Sequence, residues 1–414
     1  MIMKNKHILL GVTGGIAAYK SAELVRLFKK SGAIVKVVMT PASEKFVTAL
    51  TFRTLTGEQV FSEVFDNQGD PMPHIDLARW ADVILIAPAT ADCIARLTHG
   101  RSNDLLTAVC LATTSPVALA PAMNKQMWEH DATQKNIETL VSRGLKLFGP
   151  DIGDQACGEF GEGRMIEPST LQTEIKNIFK SNKLSDVNVV ITAGPTQEHI
   201  DPVRYISNRS TGKMGYAIAQ AAQEAGAHVK LISGPVNLAA PENIEIIYVE
   251  SAVEMNRVVM ENIEQCEIFI SAAAVADYRP MNVHDKKIKK TEALKSIKLQ
   301  KNPDILASVA NLENPPFTLG FAAETDNLEN NAKEKLSSKN LNMIAANKIG
   351  EEGHGIASPT NAIELYWSGG HETLPLADKS RLARQLVNIL AKHFQQSKSN
   401  VIKMGHAKGS IKNP

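Results

Sequence analysis

The sequence predicts an α/β protein built from two three-layer, Rossmann-like domains with mainly parallel sheets. Three observations predict it. At 414 residues the chain is too long for one core, because a single hydrophobic core stops growing at roughly 250–300 residues. Short apolar runs alternate with helix-periodic stretches, the pattern of parallel strands joined by crossover helices. The pattern also occurs twice. "ADVILIAPATAD" (81–92) in the first half and "CEIFISAAAVAD" (266–277) in the second are each an apolar run, then small residues, then Asp.

The elements follow in order. "HILLGV" (7–12) is a strand ending before a Gly-bearing turn. In the next stretch Ala18, Ala22 and Val25 recur at helical steps, Leu24 and Phe28 lie one turn apart, and Gly32 closes the helix. "AIVKVVMT" and "ADVILIAPATAD" are buried strands. In the second half "VNVVITAGP" (187–195) is a strand ending in Gly-Pro. Met214, Ile218, Ala221 and Ala225 step as a helix stopped by Gly226, and "AHVKLISGP" is the next strand. Near-continuous apolar strands mean that both sheet faces are covered. The polar stretch "KSNKLSD" (180–186) is the join. The expected domains are therefore 1–182 and 183–396, with a weakly periodic, disordered tail over 397–414.

Composition excludes several classes. Hydrophobic residues are 43% and charged residues 21%, an ordinary globular balance. A formal net charge of +1 gives no electrostatic reason to bind nucleic acid or a membrane. Aromatics at 5% argue against stacking platforms for single strands. The four cysteines, Cys93, Cys110, Cys157 and Cys266, include no C-x-x-C pair, which argues against zinc and fits a reducing compartment. No apolar run reaches the roughly 18 residues of a membrane span, and the N-terminal run is short for a signal peptide. The expectation is a cytoplasmic protein.

In doubly wound sheets ligands bind beyond the C-terminal strand ends. Each half puts a Gly-bearing turn there, before a helix whose N-terminal N–H groups and positive dipole end suit phosphate. The same glycines would also serve simply to let strand and helix pack closely. "GVTGGIAAYK" fails the G-x-G-x-x-G spacing, so a dinucleotide fingerprint has little support. "SNRSTGKMG" (207–215) is not the common phosphate loop either, because Ser207 and Met214 stand where that motif needs Gly and Ser or Thr.

The first half holds three candidate reactive groups. Asn124 in "PAMNKQMW" follows an apolar strand; its amide would donate to a carboxylate or cap a helix, and the residues alone allow both. His74 in "PHIDLARW" is a candidate base or a structural loop histidine. Cys157 in "GDQACGEFGEGRM" sits among glycines and acids, the makeup of a mobile flap that closes over a site, or of an ordinary Gly-rich loop.

"GGIAAYK", "APATAD", "PAMNKQMW" and "ACGEFGEGRM" together resemble the homo-oligomeric flavin-containing cysteine decarboxylases. From about His7 to about Lys392 the chain resembles the bacterial bifunctional coenzyme A biosynthesis proteins, in which phosphopantothenoylcysteine decarboxylase is fused to phosphopantothenate–cysteine ligase. Direct loss of CO2 from a cysteine carboxylate leaves an unstabilised carbanion. Oxidation of the thiol to a thioaldehyde lets the charge spread onto sulfur, and that needs a bound two-electron acceptor. The resemblance implies FMN held by Gly14, Gly15, Thr40, Ala89 and Thr90. It also implies His74 in the active site, Asn124 on the substrate carboxylate, and Cys157 assisting protonation and reduction of the enethiol. It further implies FMN at a subunit interface, hence homo-oligomers based on trimers, with a dodecamer as their higher assembly.

A ligase must activate a carboxylate as a mixed anhydride with a nucleotide phosphate, and so needs a phosphate cradle, cations and usually Mg2+. The second half offers Arg204, Asn208 and the Ser-Thr-Gly-Lys turn, Asp277 at a strand end, and the lysine cluster "HDKKIKKTE" (284–292). "KNPDIL", "GFAAETDN" and the pair Lys335 and Lys339, four apart on one helix face, complete the set. On their own the lysines read as solvated surface. The resemblance implies that Lys287 forms the acyl-nucleotide and Asn208 handles it. It implies that Asp277, Lys287, Pro303, Asp304, Ile305, Leu306, Phe321, Lys335 and Lys339 contact CTP; no bottom-up reading chose the base. The implied substrates are 4'-phosphopantothenate, cysteine and CTP, with Mg2+ and no assignable metal ligands.

Other classes fit less well. A different flavin decarboxylase leaves the second half unexplained. A non-catalytic flavin-binding regulator predicts lost reactive positions and an acidic tail, but His74, Asn124 and Cys157 are present and the tail is basic. A nicotinamide dehydrogenase lacks its fingerprint.

Overall fold

A computed structural model describes residues 3–63, 72–241, 243–289, 296–324, 327–348 and 358–409. The chain forms two compact units, Met1–Phe179 and Lys180–Pro414. The division falls slightly before the expected one because residues 180–184 bond to the second unit: Ser181 N donates to Glu224 O and Leu184 N to Ala225 O.

The strands of the first unit are β1 (His7–Val12), β2 (Ile34–Met39), β3 (Val60–Phe61), β4 (Val83–Ala89), β5 (Val117–Pro121), β6 (Lys146–Leu147), β7 (Asp151–Asp154) and β8 (Phe160–Arg164). Its helices are α1 (Ala18–Lys30), α2 (Ala49–Thr56), α3 (Pro73–Trp80), α4 (Ala91–Thr98), α5 (Leu105–Ala112), α6 (Lys125–Glu129), α7 (Asp131–Ser142) and α8 (Pro168–Ile178). Six strands form a parallel sheet in the order β3-β2-β1-β4-β5-β6. Every residue of β4 is buried, as expected for a central strand covered on both faces. One face packs on α1 through Leu24, Val25 and Phe28, the other on α3, α4, α5 and α7 through Leu77, Ile94, Leu106 and Ile137. Strands β7 and β8 pair antiparallel as a separate hairpin.

The strands of the second unit are β9 (Asn188–Ala193), β10 (Gln197–Asp201), β11 (Arg204–Ser207), β12 (His228–Ser233), β13 (Glu245–Tyr248), β14 (Ile268–Ser271), β15 (Tyr278–Pro280), β16 (Leu299–Lys301), β17 (Phe317–Glu324), β18 (Met343–Lys348), β19 (Thr360–Trp367) and β20 (Gly370–Asp378). Its helices are α9 (Lys213–Glu224), α10 (Ala252–Glu261), α11 (Ile305–Ala310), α12 (Leu328–Ser338) and α13 (Lys379–Gly409). The sheet order is β13-β12-β9-β14-β17-β18-β19-β20. Its first six strands repeat the topology of the first unit, all parallel. Strands β19 and β20 add an antiparallel edge that the periodicity did not reveal. Helices α9 and α13 cover one face through Ile218, Ala222, Leu382 and Leu386; α10, α11 and α12 cover the other through Met255, Val309 and Ala332.

The expectation of a disordered tail from residue 397 is corrected. Helix α13 runs on to Gly409 without a break. Lys398 holds Glu267 at 2.5 Å and Ser399 Oγ bonds back to Gln395 O at 2.9 Å. No proline interrupts the run, and Phe394 anchors the preceding turn in the core. Residues 410–414 of that tail lie outside the described residues.

Candidate functional sites

In both units the strand order reverses beside the first strand, at β1/β4 and at β9/β14, and a cavity opens at the C-terminal strand ends there. This is where a doubly wound sheet binds ligands. The first cavity, about 1150 Å³, is lined by Thr13, Gly14, Gly15, Thr40, Thr90, Asn124 and Cys157 among others. A Cβ on Gly14 would overlap the side chain of Ala42 and come within 2.9 Å of its carbonyl carbon, so only glycine fits that turn. Helix α1 starts here with no side-chain cap and no acid in its first turn; Ala18 N and Lys20 N turn back to Gly15 O and Ala17 O, and the positive dipole end of the helix lies at the cavity. Thr13 Oγ1 donates to Pro88 O at 2.7 Å and accepts from Thr90 N at 3.2 Å, tying the ends of β1 and β4 together.

Asn124 is the N-cap of α6. Its Oδ1 accepts from Gln126 N at 2.8 Å, so the helix fixes the amide and Nδ2 is left to donate outward. The β7–β8 hairpin lies directly against it. Met123 N donates to Gly163 O at 2.9 Å, Lys125 N to Gln155 Oε1 at 3.0 Å, and Trp128 Nε1 to Glu162 Oε2 at 2.9 Å. These bonds bring Cys157, exposed in the hairpin turn, to 3.4 Å from Asn124 Nδ2, which also donates to the Glu159 carboxylate. The expected flap is thus a pinned hairpin, and both roles open for Asn124, cap and donor, are compatible.

The other thiols are of a different kind. Burial pushes Cys93 well up, and Cys110 and Cys266 up to about 12. They stay protonated near neutrality and are poor nucleophiles.

The second cavity, about 620 Å³, is lined by Asn208, Arg209, Lys213, Asp277, Pro303, Asp304, Ile305, Leu306, Phe321, Lys339 and Lys379 among others. "SNRSTGKMG" folds around it. Gly212 takes φ +74° as the N-cap of α9, and a Cβ on Gly215 would lie 2.6 Å from Ala193 Cβ on β9. The glycines therefore let α9 close on the sheet and leave its N-terminus at the cavity. Asn208 Nδ2 donates to Ala274 O (3.2 Å) and Val275 O (3.1 Å), joining the loop to the end of β14. Asp277 N-terminal neighbours and the 303–306 turn are coupled by Asn302, whose Nδ2 donates to Ala276 O at 2.8 Å. Asp304 caps α11 and holds Lys339 at 2.7 Å. Burial pushes the Asp304 carboxyl up, but the Lys339 ammonium, the Ala307 N–H and the Lys301 charge outweigh it and keep the carboxyl below its ordinary range.

Two family models match the chain: the flavoprotein family over residues 2–180, and the DNA/pantothenate metabolism flavoprotein C-terminal domain over residues 184–394. Across nearly its whole length the chain is 51% identical, over 400 residues, to the coenzyme A biosynthesis bifunctional protein CoaBC of Haemophilus influenzae, covering 96% of this chain and 100% of that one. The chain belongs to the CoaBC family. The Escherichia coli K12 member is 46% identical over 402 residues, covering 96% of this chain and 99% of that one. A solved C-terminal domain of a CoaBC protein is 39% identical, with a TM-score of 0.46, covering 52% of this chain and 100% of that one. As a CoaBC family member the chain is a bifunctional enzyme of coenzyme A biosynthesis, a flavoprotein decarboxylase joined to a ligase.

Within this CoaBC chain the structure gathers most of the expected residues and leaves four aside. Gly14, Gly15, Thr40, Thr90, Asn124 and Cys157 share the first cavity; Asn208, Asp277, Pro303, Asp304, Ile305, Leu306, Phe321 and Lys339 share the second. Ala89 does not line the first. It is fully buried and its carbonyl accepts from Ala122 N, so its contribution is to hold β5 beside β4. His74 lies on α3 away from that cavity, and its Nδ1 is buried without a partner. Lys335 is turned to Glu324 at 2.5 Å. Lys287 is on an exposed loop outside the second cavity, held through its neighbour: Ile288 N donates to Asp201 Oδ2 at 3.1 Å. The end of the lysine cluster (290–292) and residues 325–326 of "GFAAETDN" lie outside the described residues.

Sequence reading missed Asp201, Arg209, Lys213 as an individual group, and Lys379. Asp201 is fully buried and accepts from Val203 N, Arg204 N and Ile288 N. An Asp before Pro in a polar stretch carries no such signal. Lys379 opens a helix after a strand with no sequence pattern to tie it to a loop more than a hundred residues earlier.

Proposed function

We propose that the second unit joins cysteine to 4'-phosphopantothenate with CTP through an acyl-cytidylate, and that the first unit decarboxylates the product, 4'-phosphopantothenoylcysteine, to 4'-phosphopantetheine with FMN. The observation that carries this reading is the Asn124 amide beside the Cys157 thiol at the mouth of a cavity sized for a ligand of this class.

The first cavity suits FMN: a glycine backbone at Gly14 allows close approach, Thr13, Thr40 and Thr90 supply hydroxyls, and the uncapped start of α1 suits the phosphate. When bound, the flavin supplies a reversible two-electron acceptor for the substrate thiol. Asn124 Nδ2 donates to the substrate carboxylate, replacing its bond to Glu159, and releases it as CO2. Cys157 then delivers the proton to the enethiol carbon. His74 and the FMN interface call for a neighbouring subunit. Ile16 and Tyr19 line the cavity while 61% and 62% exposed, an apolar rim that a trimeric partner would cover. That subunit's copy of His74 would complete the site.

In the second unit the carboxylate oxygen of 4'-phosphopantothenate attacks the α-phosphorus of CTP; the bond to the β-phosphate oxygen breaks, and pyrophosphate leaves with its electron pair. The cysteine amine then displaces CMP. Asn208 orients the acyl-cytidylate. Asp277, the turn from Pro303 to Leu306, Phe321, Lys335 and Lys339 hold the nucleotide, and Lys287 moves in from its loop to offset charge on the phosphate. Among the described residues no group of three or more His, Cys, Asp or Glu is arranged to hold a metal; Mg2+ enters with the nucleotide, chelated by its phosphates.

Purified protein is expected to be yellow and to release pyrophosphate and CO2 only when 4'-phosphopantothenate, cysteine and CTP are all supplied. A colourless protein that FMN does not reconstitute, or equal turnover with every nucleoside triphosphate, overturns this reading. Asn208→Asp should accumulate or lose the acyl-cytidylate.

A further inference from the structure

We propose that Gln155 is a positioning residue for proton delivery in the first unit: its side-chain amide sets the Cys157 thiol against Asn124 and holds the S–H until the proton is used. The inference rests on the decarboxylation reading above. It gives a role to a member of "GDQACGEFGEGRM" that neither the motif nor the resemblance assigned.

Both ends of the Gln155 amide are committed. Oε1 accepts from Lys125 N at 3.0 Å, and Nε2 donates to Glu162 O at 3.0 Å. A donor at one end and an acceptor at the other fix which end is oxygen. Lys125 follows Asn124 and opens α6, while Glu162 lies on β8. One half-buried side chain therefore ties the helix start that carries Asn124 to the hairpin that carries Cys157. The backbone of the same residue shapes the turn. Gln155 N donates to Glu159 O at 2.8 Å and Gly158 N to Gln155 O at 2.9 Å, with Cys157 between them. Room for the amide depends on Gly163, at φ +129°, where a Cβ would come 2.9 Å from Nε2 and 2.3 Å from Met123 O.

The oxygen that accepts from Lys125 also faces the thiol. Cys157 Sγ donates to Gln155 Oε1 at 3.8 Å, a sulfur-length contact, and accepts from Asn124 Nδ2 at 3.4 Å. The sulfur is thus held from both sides, its proton toward Gln155 and a lone pair toward Asn124. All three residues line the first cavity. In the proposed reaction Asn124 Nδ2 turns to the substrate carboxylate, and Gln155 keeps the thiol in place. Once CO2 has left, the enethiol carbon takes the proton from Cys157 Sγ, and the carbon bearing sulfur takes back the hydride that oxidation had removed. Asn124, released from the carboxylate, donates again to the Cys157 sulfur, which water reprotonates. An uncharged amide oxygen bonds the protonated thiol and is too weak a base to take its proton.

Gln155→Met and Gln155→Glu in the full chain test this. Both lose the donor to Glu162 O, and only Glu keeps an acceptor for Lys125 N and for the thiol. A merely structural role would therefore move both variants the same way. The measurements are the rate at which iodoacetamide labels Cys157, with and without bound flavin, and the share of 4'-phosphopantothenoylcysteine turnover that ends as oxidised enethiol. The Met variant should label about threefold faster or more, because the acceptor that serves the protonated thiol is gone. The Glu variant should label about threefold slower or more, because a carboxylate beside the sulfur opposes the reactive thiolate. The Met variant should also lose reduced product more than CO2 release, raising the enethiol share about threefold or more, and Glu should restore part of the reduction. Labelling that shifts the same way in both variants overturns the assignment. So does an equal loss of CO2 release in both with the enethiol share unmoved. If Gln155→Met does not fold, Gln155→Glu decides alone: slower labelling supports the role, and labelling at or above the unaltered rate overturns it. Fully reduced product from Cys157→Ser would instead remove the proton donor from the decarboxylation reading, while the labelling rates still report on Gln155.

Discussion

The amide nitrogen of Asn124 lies 3.4 Å from the sulfur of Cys157, although 33 residues separate them in the chain. Neither group needs an unusual charge state to be useful there. The α6 cap fixes one, and the hairpin bonds from Met123, Lys125 and Trp128 fix the other. In the proposed mechanism this sets a donor for the substrate carboxylate beside a proton source, the pairing a decarboxylation with a protonated product requires.

Cys157→Ser should keep its flavin and convert substrate to CO2 and an oxidised enethiol that is not reduced further. Product analysis by mass spectrometry checks it; normal yields of reduced product remove Cys157 from the mechanism. In the unaltered native protein, iodoacetamide should label Cys157 first, because burial keeps Cys93, Cys110 and Cys266 protonated.

Glu159 accepts from the Asn124 amide, the donor that the proposed mechanism gives to the substrate carboxylate. Glu159→Gln removes a like charge that competes with the substrate, so its KM for 4'-phosphopantothenoylcysteine should fall several-fold. A KM that stays the same or rises would show that the carboxylate assists binding.

Gly14→Ala introduces a methyl against the backbone of Ala42. Overpacking of this kind costs about 1–3 kcal/mol, and it falls on the turn proposed to hold the flavin. The variant should be purified with little bound flavin while the ligase half keeps its activity. Full flavin absorbance in the purified variant would sink the prediction.

Asp201 anchors the loop of Lys287 through Ile288 N and the β10–β11 turn through Val203 N and Arg204 N. In Asp201→Asn one amide edge becomes a donor facing donors. Ligation should fall about tenfold or more, with decarboxylation unaffected. Ligation at the level of the unaltered protein would place the control of Lys287 elsewhere.

The same carboxylate gives a pH dependence. Burial pushes Asp201 up, but the Val203, Ile288 and Arg204 N–H bonds and the Arg204 charge outweigh it, so its folded pKa lies below the ordinary value. The fold therefore favours the ionised form. Its stabilisation is complete above the unfolded pKa of about 3.9 and is lost as pH falls through the lower folded value. Asp304 and Glu324, lowered by Lys339 and Lys335 against burial, act with the same sign. Denaturant unfolding followed across pH 5 to about 2.5 should show falling stability of the second unit, with a shallower slope in Asp201→Asn. Equal slopes would contradict the assignment.

Much of the architecture was legible because parallel strands covered on both faces are near-continuous apolar runs. Strand β1 falls on the run 7–12, and the small-residue tracts after β4 and β14 mark the two cavity edges. The antiparallel edge β19–β20 was not legible as a buried run, since β19 intersperses buried with half-buried residues and β20 buries only Leu374. Along the continuation of α13, Lys398 meets Glu267, a partner 131 residues away that local periodicity does not reveal.

The sequence by itself determined the doubled α/β fold, the family, and the loops that carry the chemistry. All of these are written in local periodicity and in short runs of Gly, Asn and Asp whose backbone demands are local. Only the tertiary structure decided which groups meet: Cys157 with Asn124, Asp201 with the loop of Lys287, Gln155 with Lys125. Those meetings depend on strand order and helix docking, where packing of distant apolar faces sets distances that no local pattern encodes. For the same reason the structure leaves Ala89 and His74 out of the lining of the cavity where the resemblance implied them.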